Sequence, residues 1–240
     1  CPWFNEIANY ARDHAGSDFG IHLCHTAEWK LYRWGPVAPR EQVPGLVDPQ
    51  GCLWPEIEDV YAHSNPEEAL IEGRAQIRKA LAAGVDITHL DSHMGTLQYN
   101  AAYMESYLKL AVEFDLPLRM ASQSTLVKFG QPTLREKFAA RGLVFPDFFV
   151  HEELKDESDV KVFWLNILRN HQPDVTEIYI HAGKPNEELQ AVTGSWKTRG
   201  EQFETFTHDA DIRKVIEDQK IIRIGYRPLR ELQRRRHAAR

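Results

Sequence analysis

Short apolar runs alternate with amphipathic stretches from one end of the chain to the other. Phe19-Gly20-Ile21-His22-Leu23-Cys24 has the length and side-chain alternation of a strand. Segment 67–83 carries Ala69, Leu70, Ile77 and Leu81 on one helical face, and Gly84 stops it. Similar spacing predicts helices over 5–14, 103–114, 132–140, 159–170, 211–218 and 229–237. Strands are predicted over 85–90, 116–120, 176–181 and 221–225, with 145–151 either a strand or an irregular link. Strands separated by helices imply parallel pairing, because a parallel crossover takes about a dozen residues or more. The expected class is α/β in a single domain over residues 1–240. Between Glu28 and Asn65 the pattern fails, and Pro36, Pro39, Pro44, Pro49 and Pro55 mark a long irregular stretch. Loops of that length are uncommon and often functional.

Composition narrows the function classes. Hydrophobic residues make up 42% and charged residues 27% of the 240, which excludes a disordered chain. No apolar run reaches the roughly 18 residues of a membrane span. The net charge of −6 provides no basic surface for nucleic acid, and none is expected as a partner. The basic tail, Arg234, Arg235, Arg236 and Arg240, reads as a solvated helix end. Cys1, Cys24 and Cys52 are odd in number and lack a CxxC spacing, which excludes a disulfide-dense scaffold and a four-Cys zinc site. One disulfide stays open. The chain opens on Cys1 with no visible signal peptide; the expected location is cytoplasmic, and a homodimer is allowed.

The chemistry gathers at strand ends. Three predicted strands carry a His at or just past the carboxyl end, where parallel α/β folds place their active sites. His22 alternates with Ile21 and Leu23; His89, Asp91 and His93 share a face if the extended form persists. Glu177, Tyr179 and His181 share another. Imidazoles with carboxylates suit Zn²⁺ and similar ions, although no HExxH motif is present.

Three segments now carry a resemblance. Gly20-Ile21-His22-Leu23-Cys24-His25-Thr26, His89-Leu90-Asp91-Ser92-His93 and Glu177-Ile178-Tyr179-Ile180-His181-Ala182-Gly183 resemble the three motifs of the YdjC-like carbohydrate deacetylases. Cys1-Pro2-Trp3-Phe4 and Glu28-Trp29-Lys30-Leu31-Tyr32-Arg33-Trp34-Gly35-Pro36 resemble a branch of that family. The resemblance implies a distorted (β/α) TIM-like barrel and a divalent metal ion, Mg or Zn. It also implies removal of N-acetyl groups from amino sugars or chito-oligosaccharides. By position, His22 and His93 resemble the metal-binding His pair, and His181 the His near the substrate, a general acid. Gly95 stands where many relatives have another His, and Ala182 replaces a usual Pro. The family's first strand ends in an Asp-Asp pair, and none occurs in these 240 residues. The chain therefore reads as a member lacking that first strand and helix.

Further roles follow from this frame. Asp91 is expected to orient a neighbouring ligand, with Glu177 as a similar support. Arg119 either holds a substrate oxygen or makes a structural ion pair. Trp29 and Trp34 either form a sugar platform or pack the loop. Two other functions compete: a metal-dependent amidohydrolase of a non-sugar substrate, whose usual HxH strand is missing, and a non-catalytic sugar-binding relative.

Overall fold

The computed structural model describes residues 1–150 and 159–239. In chain order the elements are α1 (Phe4–Asp13), β1 (Phe19–Leu23), α2 (Ile57–His63), α3 (Pro66–Ala82), β2 (Ile87–Ser92), α4 (Ala101–Glu113), α5 (Gln123–Lys128), α6 (Leu134–Ala140), β3 (Phe148–Phe149), α7 (Val160–Arg169), β4 (Thr176–Glu177), α8 (Glu187–Val192), α9 (Trp196–Thr207), α10 (Ala210–Asp218) and α11 (Arg227–Ala238). Helices and strands are mixed, as an α/β class requires. The chain divides into two compact units, one of residues 1–119, 133–145 and 225–240, the other of 120–132 and 146–224.

In the first unit β1 and β2 pair in parallel. On the other side of β2, Leu90 bridges Leu118 in parallel, and Arg119 N–H donates to the Leu90 carbonyl at 2.9 Å. The strand expected over 116–120 is thus one bridge long. Helix α3 forms where its caps dictate. The Asn65 side chain accepts from the Glu67 and Glu68 N–H groups, and Pro66 opens the first turn. Gly84, at φ +79°, lets the chain turn away after Ala83. Ile77 of α3, Leu23, Leu90, Tyr107 and Leu110 are fully buried and form the core beneath the β1–β2 pair.

Helix α11 returns to this unit. Arg230 is 4% exposed and bonds Asp86 and the Ile87 carbonyl, just ahead of β2. Arg234, Arg235 and Arg236 are exposed in its last turns, as read from the sequence; Arg240 lies outside the described residues.

In the second unit β3 and β4 pair in parallel over two residues each, Phe148 with Thr176 and Phe149 with Glu177. Val160, Trp164, Leu165 and Leu168 of α7 pack with Ile212 and Val215 of α10, and Ile178 lies against them. Asp159 caps α7 through the Val162 N–H. The predicted strand 221–225 is a correction: Ile222 is 85% exposed and the segment pairs with no strand among the described residues. Its alternation lacks a sheet edge to join. Helices α2, α5, α8 and α9 were not read from the pattern; α8 buries nothing, so it carries no core stripe. The end of segment 145–151 lies outside the described residues. The three thiols are free.

Candidate metal-binding site

One irregularity in the β1–β2 pair sets the site. Phe19 pairs with Ile87, but Ile21 pairs with Leu90, so β2 carries one extra residue between them. An unbroken register would have put Leu90 opposite His22. The bulge puts Asp91 there, and it reverses which side chains share a face. Gly20 makes the bulge fit. A β-carbon there would fall 2.3 Å from the His89 ring, and that ring is stacked on Tyr226 at 3.9 Å. Burial holds the His89 imidazole down to about 4, helped by Arg119 and opposed by Asp91. His89 is therefore a packed neutral ring on the inner side of the pair.

His22 is the exposed member of β1, at 47% for its side chain, and its Nδ1 lies 2.8 Å from Asp91 Oδ2. The same Asp91 oxygen accepts from Arg119 at 2.8 Å. Burial opposes ionisation of Asp91, but the His22 hydrogen bond and the nearby positive charges outweigh it and keep its carboxyl below the usual range. Of the two roles open to Arg119, the ion pair is present.

The extended form does not persist to His93. The chain leaves β2 at Ser92 and enters a 3-10 turn, His93–Gly95, with Met94 at φ +52° and Gly95 at φ +72°. At Gly95 the Tyr99 ring stands 2.5 Å from where a β-carbon would sit. This turn swings His93 back toward β1, and its Nδ1 lies 3.1 Å from His22 Nε2. Behind it, His93 Nε2 meets Glu28 Oε2 at 2.8 Å.

A neutral imidazole has one N–H and one lone pair. Asp91 takes the N–H of His22 at Nδ1, and Glu28 takes that of His93 at Nε2. Were both rings neutral, this would leave two lone pairs facing each other across the 3.1 Å between His22 Nε2 and His93 Nδ1. A metal ion bound by both nitrogens, or a proton shared as an N–H···N hydrogen bond, removes their repulsion. Zn–N bonds of about 2.0–2.1 Å in a tetrahedral site would set two ligand nitrogens about 3–3.5 Å apart. Carboxylates behind both rings are the usual support of metal-binding His. The donor set fits a divalent cation. Among the described residues no third His, Cys, Asp or Glu completes a group of three ligands.

Glu28 is the residue that sequence reasoning left without a role. It lies in the irregular loop with no periodicity to place it, and in its motif, Glu28-Trp29, the aromatics carry the signal. Those aromatics cluster: Trp29 and Trp34 are 6.4 Å apart edge to face, and Tyr32 is 6.0 Å from each. Arg33 anchors the cluster to Asp48 at 2.8 Å, and the Trp34 carbonyl accepts from Leu53 N–H at 2.9 Å. Cys24 is half-buried beside the site, and its desolvation pushes the thiol up to about 12 and keeps it protonated.

His181 and Glu177 belong to the second unit. His181 is exposed, its backbone N–H donates to Gln202 Oε1 at 2.6 Å, and its ring meets Tyr179 edge to face at 5.4 Å. Tyr179 stacks in turn on Phe149 at 5.5 Å. The Glu177 carbonyl holds Val150 N–H at 3.0 Å.

A family model described as YdjC-like protein matches residues 1–218. Carbohydrate deacetylases of Thermoanaerobacter pseudethanolicus and Enterococcus faecalis are 27% and 28% identical to this chain over 225 and 230 residues. Those alignments cover 94% and 95% of this chain, and 83% and 84% of the two relatives. A solved structure from Enterococcus faecalis, described as a cellobiose-phosphate cleavage protein, is similar at a TM-score of 0.79 and 27% identity. It covers 95% of this chain and 84% of its own. With most of its length matched by the family model, the chain belongs to the YdjC-like protein family.

Proposed function

We propose that the chain is a metal-dependent carbohydrate deacetylase that hydrolyses the N-acetyl amide of an amino sugar or chito-oligosaccharide. One observation carries the reading: two imidazole nitrogens face each other at 3.1 Å, each ring held from behind by a carboxylate. The names of the relatives point to the same chemistry. The parallel order β1, β2 and 117–119 supports reading the fold as part of a distorted (β/α) barrel.

His22 and His93 would hold the ion. When bound, a divalent ion lowers the pKa of a water from about 15.7 toward about 7 and stabilises the oxyanion of amide attack. Asp91 and Glu28 keep the two rings in the tautomers that present lone pairs inward. Arg119 fixes Asp91 and lines the same side of the strand pair. Trp29 and Trp34 offer apolar faces of the size a sugar ring covers, and His181 is the group assigned to protonate the leaving amine. No residue of this chain is assigned as the base for the water proton, because the Asp-Asp pair implied by the resemblance does not occur in it.

A second reading, a sugar-binding relative without turnover, is favoured by the absence of a third ligand among the described residues. Both readings are tested with His181→Ala. Acetate release from N-acetylglucosamine oligomers falls about 10²–10⁴-fold while metal content is unchanged. Metal lost in parallel with activity would make His181 a ligand instead. Sugar binding with no acetate release by the unmodified chain would establish the second reading.

A further inference from the structure

Helix α3 carries a polar pair, buried Glu72 and half-buried Gln76, that none of the site chemistry above uses. Glu72 is 1% exposed and forms no ion pair with a Lys or Arg among the described residues. A carboxylate so placed is costly unless its oxygens are well satisfied. Its acceptors are filled by the Val37 N–H at 2.9 Å, the Ala38 N–H at 2.8 Å and the Gln76 Nε2–H at 2.7 Å. Gln76, one turn on, grips the chain at another point. Its Nε2 donates to the Cys24 carbonyl at 2.6 Å, and its Oε1 accepts the Cys24 N–H at 3.0 Å.

Cys24 and Val37-Ala38 are the two ends of one loop. Between them lie Glu28, which holds His93, and the Trp29, Tyr32 and Trp34 rings. The two side chains are four residues apart on one helix, so they act from one rigid face. We infer that Glu72 and Gln76 are positioning residues: they clamp both ends of loop 24–38 so that Glu28 stays on His93 and the aromatic cluster keeps its place. The role in turnover rests on the deacetylase reading; the effect on His93 does not.

His22 supplies an internal control. Its ring is held by Asp91 on β2, outside the clamped loop. The experiment observes the imidazole N–H protons of His22 and His93 by NMR in the full chain. It uses Gln76→Met, which keeps the volume and removes the amide, and Glu72→Gln, which puts an NH₂ among the N–H donors. Melting temperature and acetate-release kinetics are measured on the same samples. The expected result is loss of the protected His93 N–H signal in both folded variants, with that of His22 retained. Where the wild type turns over, kcat/KM falls about 10–100-fold, the usual effect of removing a support behind a metal ligand. A folded Gln76→Met or Glu72→Gln protein with an unchanged His93 signal would overturn the clamp. Joint loss of both His signals would mean a general loosening and would also overturn it. If the wild type releases no acetate, the deacetylase reading fails while the His93 signal still decides the clamp.

Discussion

His22 and Asp91 face each other across the parallel β1–β2 pair, Nδ1 to Oδ2 at 2.8 Å, only because β2 carries one extra residue upstream. That contact fixes which nitrogen of His22 is left for a ligand. Asp91→Asn removes the charge that holds the tautomer and leaves Arg119 without its carboxylate. Metal affinity is expected to fall about 10–100-fold with secondary structure intact. Calorimetric titration of the divalent ion checks this, and an unchanged affinity would contradict it.

Gly20→Ala addresses the bulge itself. The added β-carbon would sit 2.3 Å from the His89 ring, which cannot withdraw because it is stacked on Tyr226 and bonded to Thr88 Oγ1 at 3.0 Å. Overpacking of this kind costs about 1–3 kcal/mol. Chemical denaturation is expected to show that loss together with weaker metal binding.

The buried His89 makes stability depend on pH. The unfolded chain takes up this proton near 6.5 and the folded chain only near about 4. Between those values the unfolded state holds more protons, so stability falls as pH falls through that window and this group causes no further loss below it. At about 1.4 kcal/mol per pH unit the loss is on the order of 3 kcal/mol. Denaturation midpoints from pH 7 to pH 4 should fall steeply in the wild type and less so in His89→Phe.

Arg230 secures α11 to the start of β2. Its partner Asp86 is 55% exposed, so Asp86 stays hydrated when the guanidinium is removed. The loss for Arg230→Met is therefore expected below the about 3–5 kcal/mol of a fully buried broken pair, at about 1–3 kcal/mol from the unmet Ile87 carbonyl and the lost bonds. A melting curve measures it.

Trp29 and Trp34 are expected to divide the two roles that the sequence left open. Trp34 is tied in through its carbonyl on Leu53, and its ring meets both neighbours. Trp34→Ala is expected to cost about 3–5 kcal/mol. Trp29 adjoins Glu28, and Trp29→Ala is expected to raise KM for oligomers with little change in melting temperature. Equal effects of the two on melting, with KM unmoved, would make both packing residues.

Much of the scaffold was legible because its signals are local. The Asn65-Pro66 start and Gly84 stop define α3, and the apolar alternation defines β1. The His22–His93 approach was legible as well, from their places at two strand ends and from the family motifs. What actually joins them was not. A bulge is an event between two strands, and β2 alone contains no sign that its register slips by one. Glu28 reaches His93 from an irregular loop 65 residues away in sequence, where periodicity carries no information. Strand 116–120 shrank to a bridge because pairing needs a neighbour that supplies partners along its whole length.

His22 and His93 are proposed here as the metal centre of a carbohydrate deacetylase. The most direct test is acetate release from N-acetylglucosamine oligomers while a divalent metal is titrated into chelator-treated protein. No release is expected without metal, with release rising in step with bound ion and both lost in His22→Ala and His93→Ala. Release that survives chelation, or full metal binding by the His22→Ala protein, would contradict that assignment.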